Sequence, residues 1–158
     1  MTLRARWAVI AFCLAGCTQD PSIPKVGNDP VTLTLRLSTL SLQLGKPDTI
    51  RVVVTNTLDQ GVRLDFPGLC QVFVTVRNAA GDIVTPRDGR PECLPVPTVL
   101  LLVAKGTREY SAIWTGGFKF APPDTPERVP AGPYFVSAQL IANGYSTFAP
   151  SFKVDVVP

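Results

Sequence analysis

Apolar and polar residues alternate strictly along the segment VTLTLRL, residues 31–37, where the odd positions are apolar. This alternation predicts a strand with one buried face. In residues 40–44 the apolar positions are the even ones. The parity therefore changes across Ser38 and Thr39, which predicts a bulge or bend at which the chain passes from one sheet to another.

The same two-residue period recurs at 49–57 and 62–66 and predicts two more half-buried strands. In the segment QVFVTVR (71–77) either the three valines or Phe73 mark the buried face. VLLLVA (99–104) is a continuous apolar run of strand length, which predicts a core strand. Further strands are predicted at 83–84, 107–115, 133–143 and 147–157.

Proline and glycine punctuate the whole chain. Among 158 residues, 16 are proline and 12 are glycine, so that proline makes up about 10%, twice the usual ~5%. No stretch sustains an apolar period of 3.6 residues. The pattern predicts an all-β fold, an immunoglobulin-like antiparallel β-sandwich of about eight or nine short strands. Two long proline-rich loops are predicted at 86–97 and 116–132.

The N-terminus has the pattern of a secretory signal. Arg4 and Arg6 precede the uninterrupted apolar run 7–15, which is shorter than the ~20 residues needed to span a bilayer as a helix. The run ends in LAGC (14–17), which resembles the bacterial lipobox. That resemblance implies removal of residues 1–16 and attachment of lipid to the Cys17 sulfur. Two or more acyl chains would anchor the protein stably to a membrane.

This interpretation divides the chain into a signal peptide (1–16), a flexible tether (17–30) and one β-sandwich domain (31–158). Thr18, where an aspartate would be the retention signal, resembles the outer-membrane sorting class of lipoproteins. We therefore expect a location in the cell envelope, at the outer membrane and facing the periplasm. The alternative is cleavage by the ordinary secretory peptidase, which would give an unanchored periplasmic protein.

The net charge and the residue types present limit the partners and the catalytic or metal sites that the chain is expected to have. Removal of residues 1–16 takes away Arg4 and Arg6, which leaves 13 basic and 12 acidic residues and a net charge of about +1. The basic residues are scattered singly, so no nucleic-acid partner is predicted. The chain has no histidine, which removes Ser-His-Asp and Cys-His catalysis in their usual forms and most zinc sites. We predict no enzymatic activity, no metal and no cofactor.

The four cysteines have three predicted fates. Cys13 is discarded with the signal peptide, and Cys17 carries lipid. Cys70 and Cys93 remain, and in an oxidising compartment they are expected to form a disulfide. The bridge would close a loop of about 24 residues and contribute roughly 3.5 kcal/mol of stability in the chain-entropy model.

Four segments together resemble a known family, the intracellular proteinase inhibitor (BsuPI-type) domain. They are VVVTNTLDQGVRLDFPG (52–68), QVFVTVRNAAGDIV (71–84), LVAKGTREYSAIWTG (102–116) and VPAGPYFVSAQL (129–140). They follow one another in the family's order. The resemblance implies an immunoglobulin-like sandwich. The residues themselves suggest structural roles: Asn56 as a partner for backbone groups, and Tyr110, Trp114 and Tyr134 as large packing side chains.

We predict a lipid-anchored, non-catalytic module that acts through protein–protein contacts with an envelope protein or a protease. The candidate binding surface is the two long loops, or an exposed sheet edge that accepts a partner strand. The alternative is a true protease inhibitor that inserts Arg87–Leu94 or Pro122–Val129 into a protease cleft. The candidate binding residues are Arg87, Arg90, Leu94, Phe118, Phe120, Glu127 and Arg128.

Overall fold

The computed structural model describes residues 29–89, 93–120 and 127–158. These residues contain eleven strands and no helix, which confirms the predicted all-β class and gives more strands than the eight or nine expected. The strands are β1 (Val31–Leu37), β2 (Ser41–Gln43), β3 (Asp48–Asn56), β4 (Val62–Phe66), β5 (Val72–Asn78), β6 (Ile83–Thr85), β7 (Thr98–Leu102), β8 (Thr107–Trp114), β9 (Gly132–Ala142), β10 (Tyr145–Phe148) and β11 (Phe152–Val157).

The strands form two main sheets and one small ribbon. The first sheet has the order β1-β3-β8, and the second has the order β2-β11-β9-β5-β6. Strand β10 pairs with the second half of β9, on the edge that β11 leaves free. Strands β4 and β7 form a separate two-stranded ribbon. The inward faces of both sheets meet in one hydrophobic core, so the domain is an immunoglobulin-like β-sandwich, as predicted.

The predicted passage between sheets is confirmed. Strand β1 pairs with β3 in the first sheet, whereas β2 pairs in parallel with β11 in the second. The crossing lies at Ser38–Leu40, where the parity of the apolar positions changes. The Ser38 hydroxyl donates a hydrogen bond to Asp48, which is buried at the start of β3. This bond satisfies a carboxylate at the point where the chain leaves the first sheet.

The core is built mainly from Val and Leu, with aromatic residues at one end of the sandwich. Trp114 is almost fully buried, and its ring meets that of Tyr134 edge-on, with centroids 6.0 Å apart. The Trp114 indole donates to the carbonyl of Gly117 at 2.9 Å. This bond fixes the start of the second long loop. Gly116 has a φ of +74°, and a Cβ there would lie 2.7 Å from the Leu44 side chain, so this position requires glycine.

The strand predicted at 99–104 is present as β7, but it is not a core strand. Among the described residues it pairs only with β4, and only one of its faces packs on the core. Leu102 is buried and Leu100 half-buried, whereas Val99 and Leu101 on the other face are exposed. A continuous apolar run is consistent with burial on both faces, but here it belongs to a ribbon with one open face.

The structure already includes two residues that were assigned to the tether. Thr57 donates from its backbone N–H to the carbonyl of Pro30 at 2.9 Å, and Thr147 donates from its hydroxyl to Asp29 at 3.0 Å. Pro30 is buried. Asp29 and Pro30, two residues of the predicted tether, therefore make contacts with the domain. The predicted signal peptide and residues 17–28 lie outside the described residues.

Candidate functional site

A cleft of about 430 Å³ opens between the two sheets, along the seam where β8 faces β5. Strand β8 is the edge of the first sheet, so no further strand closes the seam in the part of the chain that the structure describes. The two long loops border its mouth. The elements that line the cleft are therefore β8 at the edge of the first sheet, β5 of the second sheet and both proline-rich loops.

The walls of the cleft are apolar because of the residues that face inward on β5 and β8. Val72 and Val74 line one wall, and Tyr110 and Ala112 line the other, with Val52 of β3 behind them. Ala112 is the small member of this set, and its short side chain leaves the hollow open. Apolar walls of this kind gain stability when a ligand displaces water from them.

Strand β5 is half-buried on both faces, which explains why its sequence was ambiguous. Val72 and Val74 line the cleft, and Val76 is fully buried in the core. Phe73 borders the cleft and also lines a second hollow with Ser137 and Phe148. The Thr75 and Ser137 hydroxyls share a hydrogen bond of 2.8 Å at that second hollow. The valine face and the Phe73 face, which were the two alternatives for the buried face of β5, are therefore both partly buried over residues 72–75.

A polar pair lies in the otherwise apolar cleft. The Tyr110 hydroxyl donates to Gln71 Oε1 at 2.5 Å, and Gln71 Nε2 donates to Thr98 Oγ1 at 3.0 Å. Thr98 in turn donates to the carbonyl of Gly68 at 3.1 Å. Burial raises the pKa of Tyr110 above its ordinary value, although nearby Arg108 opposes this effect. Tyr110 is therefore a neutral hydrogen-bonding group at neutral pH.

The two predicted loops meet at the mouth of the cleft. The Arg87 guanidinium lies 4.1 Å from the centroid of the Phe118 ring, and Arg87 Nη2 lies 2.5 Å from Glu127 Oε2. The backbone N–H of Arg87 donates to the carbonyl of Phe118 at 2.9 Å. Thr85 adds a buried hydrogen bond to the carbonyl of Gly117 at 2.7 Å. Three of the predicted binding residues, Arg87, Phe118 and Glu127, thus connect the two loops, and we call this contact the Arg87 clasp. Arg87 and Phe118 are 31 positions apart in the sequence.

Beside this clasp, three further loop residues line the cleft. Phe120, another predicted residue, contributes an aromatic side chain to the lining. Asp88 and Lys119 are exposed at the mouth and carry opposite charges. The mouth therefore offers both a carboxylate and an ammonium group beside an apolar interior.

A disulfide joins Cys70 and Cys93, whose Cα atoms are 5.5 Å apart. This separation lies in the usual range for disulfides. Cys70 lines the cleft directly before β5, and Cys93 lines the hollow on the other face of that strand. The bond therefore ties the first long loop to the base of the candidate site.

Other predicted binding residues lie elsewhere. The Arg128 guanidinium donates to Thr115 Oγ1 at 2.6 Å and to the Thr115 carbonyl at 3.3 Å, so this side chain holds the second loop to the end of β8. Leu94 is exposed but does not line the cleft; its carbonyl accepts from Leu69 at 3.1 Å. Arg90 and the lipidation candidate Cys17 lie outside the described residues.

Sequence reasoning missed Gln71 and the strand residues Val72, Val74, Tyr110 and Ala112 as cleft residues. Tyr110 has the pattern of a packing residue, and the valines are one of the two alternatives for the buried face of β5. The one available signal was the undecided face of β5. An undecided face is expected where both sides of a strand are only half covered.

In residues 29–89, 93–120 and 127–158, no group of three or more metal-ligating side chains comes together. Within the same residues there is no helix with the length and hydrophobicity to cross a membrane.

Comparison with known proteins identifies similar folds but no family. No family model and no curated protein matches the chain. Among solved structures, the CARDB domain of a Pyrococcus furiosus protein, solved in complex with di-metal ions, is 16% identical with a TM-score of 0.49. The match covers 80% of this chain and 87% of that domain.

Two larger enzymes contain similar regions. The alkylpurine DNA glycosylase AlkC of Pseudomonas fluorescens is 12% identical with a TM-score of 0.46, over 82% of this chain and 31% of its own. A β-glucosidase of Erythrobacter marinus is 13% identical with a TM-score of 0.47, over 80% of this chain and 15% of its own. The chain thus spans less than a third of either enzyme. The fold class itself rests on the strand pairing described above.

Proposed function

We propose that this protein is a lipid-anchored, non-catalytic binding module of the cell envelope that holds a protein partner in the cleft between β5 and β8. The observation that carries the proposal is the preformed cleft: its walls are apolar, and its two loops are fixed to each other by the Arg87 clasp. Ligand sites in proteins are typically concave and apolar, with a few polar groups that orient the ligand.

An extended segment of a partner protein fits this geometry. The outer edge of β8 carries backbone groups that have no strand partner among the described residues. A partner strand could pair with that edge and place an apolar side chain in the hollow between Val72 and Ala112. The Tyr110–Gln71 pair would then orient the segment by a hydrogen bond. Backbone pairing would supply affinity, and the hollow would supply specificity.

The anchor and location are part of the proposal. They are supported by the basic residues, the apolar run and the LAGC sequence at the N-terminus, and by Thr18 after Cys17. A lipid-anchored domain would meet its partners at the membrane surface. The similarity to the BsuPI-type domain stays a prediction, since it depends on the four sequence segments alone.

Protease inhibition also stays a prediction. An inhibitory loop inserts a projecting segment into the protease, whereas the described parts of both loops line a hollow of this protein. The Arg87 side chain is held against Phe118 and Glu127, so it does not project as a specificity residue would. Titration of the protein against serine and metalloproteases tests this alternative, and stoichiometric inhibition would favour it over the binding module.

A photocrosslinking experiment tests the cleft. A photoreactive amino acid replaces Lys119 at the mouth in the full chain, expressed in its bacterial envelope, and Lys46 in the turn before β3 serves as the control position. We expect a discrete crosslinked protein from position 119 only. A second substitution, Ala112→Trp, fills the cleft and should abolish the crosslink.

The matched control is Ile113→Trp, which places the same ring on the outer face of the same strand. It should leave the crosslink intact. Equal crosslinking from positions 119 and 46, or an unchanged crosslink in Ala112→Trp, would contradict the proposed site. Near-ultraviolet circular dichroism verifies that both tryptophan variants are folded.

A further inference from the structure

Exposed apolar side chains concentrate on one short segment of the surface. Of twelve large hydrophobic residues that are exposed among the described residues, five lie between positions 94 and 103. Three of them form a row on the outer face of β7 and its C-terminal extension: Val99 is 45% exposed, Leu101 69% and Val103 75%. We call these three residues the β7 row. Contiguous apolar surface on a folded domain commonly marks an interaction site.

The β7 row lies on an open sheet edge. Strand β7 pairs with β4 on one side, and no strand of the described residues pairs with its other side. Proteins usually protect such edges with charged residues, proline or a bulge. The free edge of β8 carries two charged residues, Arg108 and Glu109, before the cleft residues Tyr110 and Ala112. Strand β7 has no such protection, because residues 98–104 contain no charge and no proline.

Charges border the β7 row on the side of β4 and at its C-terminal end, where Lys105 is paired with Asp59 at 3.0 Å. Arg63 lies opposite Leu101, and Asp65 lies opposite Val99. Arg63 and Asp65 are paired with each other at 2.7 Å, so neither is directed toward the free edge. A partner at this edge therefore meets an apolar row and unpaired backbone groups, and a complementary partner is itself an uncharged strand.

Of the segments outside the described residues, 1–16 is the predicted signal peptide and is expected to be removed. Residues 17–28 (CTQDPSIPKVGN) contain two prolines and two charges, and the segments 90–92 and 121–126 are short and proline-containing. Strand β7 is itself uncharged, β-forming and exposed along its edge, so it has the properties that its partner needs. The self-complementary occupant is therefore a second copy.

We propose that two copies of the protein pair through the free edges of their β7 strands, antiparallel and about a two-fold axis at Leu101. In this register each Leu101 faces its counterpart, and Val99 faces Val103 of the second copy. The Val103 carbonyl already accepts from the Gly106 N–H at 2.9 Å and from Asn56 Nδ2 at 2.8 Å, so the backbone pairing is centred on Leu101. Directly opposed residues of antiparallel strands project to the same face, so the two β7 rows merge into one apolar surface. The result is a four-stranded sheet of the order β4-β7-β7-β4.

The arrangement closes on itself. Each copy contributes a single free β7 edge, and β4 occupies the other side, so two-fold pairing gives a dimer and leaves no β7 edge for further copies. This distinguishes the proposed pairing from open-ended aggregation of an unprotected strand. The inference is independent of the cleft, which lies at β5 and β8.

Cysteine crosslinking tests the register. Opposed Cα atoms in antiparallel strands lie about 4.5–5.5 Å apart, within the range of about 4.4–6.8 Å that a disulfide spans. Leu101→Cys in the full chain, oxidised in isolated membranes, should therefore give a disulfide-linked dimer on a non-reducing gel. Leu40→Cys is the matched control, because Leu40 is a similarly exposed leucine outside the β7 ribbon. It should give no dimer.

Light scattering of the detergent-solubilised full chain tests the dimer itself. We expect twice the protomer mass for the wild type and for Leu40→Lys. Leu101→Lys should raise the dissociation constant about tenfold or more, equivalent to about 1.4 kcal/mol, because it places two like charges in apposition. Circular dichroism establishes that the variant is folded.

Three results would overturn the inference. They are a wild-type protein that stays monomeric at all concentrations, assemblies larger than a dimer, and equal crosslinking from Leu40→Cys and Leu101→Cys. A crosslink from position 101 to a different protein would show that the partner strand belongs to that protein and not to a second copy. None of these results bears on the photocrosslink at position 119, so the two surfaces are tested separately.

Discussion

Asn56 is a buried polar side chain that holds three backbone segments together at one end of the sandwich. Its amide nitrogen donates to the carbonyls of Gln60 and Val103, both at 2.8 Å, and its amide oxygen accepts from the N–H of Leu58 at 2.9 Å. The sequence predicted this role from the position of an asparagine at a strand end. One side chain thus links β3, the turn after it and the end of β7.

The substitution Asn56→Ala should reduce the free energy of unfolding by about 2–4 kcal/mol, because it removes three hydrogen bonds and leaves buried backbone groups without partners. Chemical denaturation measures the change. Asn143→Ala is the control, since Asn143 is exposed and contributes its backbone N–H to Asp65. Equal losses in the two variants would contradict the role assigned to Asn56.

Two tyrosines, the half-buried Tyr110 and the buried Tyr134, make stability depend on pH at the alkaline end. Burial raises the pKa of Tyr110 and of Tyr134 above the ordinary value of about 10. Above pH ~10 the unfolded chain releases these phenol protons while the folded chain retains them. Their contribution to stability is therefore complete below that pH and is lost as the pH rises through the folded-state pKa values.

Unfolding measured by denaturant at increasing pH should show this decline, and Tyr110→Phe and Tyr134→Phe should each make it less steep. Tyr134 donates to the carbonyl of Pro130 at 2.8 Å, so its phenylalanine variant also loses a hydrogen bond at every pH. The slope with pH, and not the stability at one pH, is the relevant readout. A slope unchanged in both variants would be inconsistent with the raised pKa values.

At the scale of elements, alternation predicted the strands that have one covered face. It located β1, β3 and β4, and the parity change at Ser38–Thr39 located the crossing between sheets. It could not interpret β7, because a continuous apolar run does not state how many of its faces are covered. That information depends on which strand lies beside it, and β4 is more than 30 positions away.

The candidate site was predictable only in part, because the sequence pattern does not state which distant segments lie beside each other. The loops around Arg87 and Phe118 are recognisable from their prolines and their polar and aromatic residues, but their contact is not. The strand residues that form the walls, such as Tyr110 and Ala112, have the pattern of ordinary packing residues. They form a cleft only because β8 ends its sheet and no strand covers its edge among the described residues.

The two faces of β7 provide a direct comparison of neighbouring leucines. Leu102→Ala should lower the free energy of unfolding by about 2–5 kcal/mol, the usual cost of truncating a buried leucine. Leu101→Ala should change it little, because its side chain is mostly in water before and after the substitution. Denaturation is measured at a concentration where light scattering shows monomer. Similar losses of stability at both positions would instead support the prediction from the sequence, which was a core strand.

At the scale of the whole molecule, the proposed cleft and the β7 row lie on different parts of the sandwich. The cleft is formed by both main sheets and both long loops, while the β7 row belongs to the separate ribbon with β4. The polar contacts Gln71–Thr98 and Thr98–Gly68 connect the start of β7 to the base of the cleft. A dimer built through β7 would therefore carry two cleft sites, one from each copy.

Attachment to a membrane would hold the two copies of the proposed dimer in one plane. Whether Cys17 carries lipid is therefore the decisive question at the scale of the whole molecule. Cys17→Ser removes the proposed acceptor of lipid, and the protein should move from the membrane fraction to the soluble fraction or persist as an unprocessed precursor. The matched control is Cys13→Ser, four positions earlier in the predicted signal peptide, which should leave membrane attachment unchanged. Fractionation followed by intact mass measurement distinguishes the mature acylated form from the precursor. If both variants partition equally and both give the same mature mass, the lipid anchor is contradicted and the alternative of an unanchored periplasmic domain is favoured. That result would leave the cleft between β5 and β8 unaffected, because the residues that line it all lie between Val52 and Phe120.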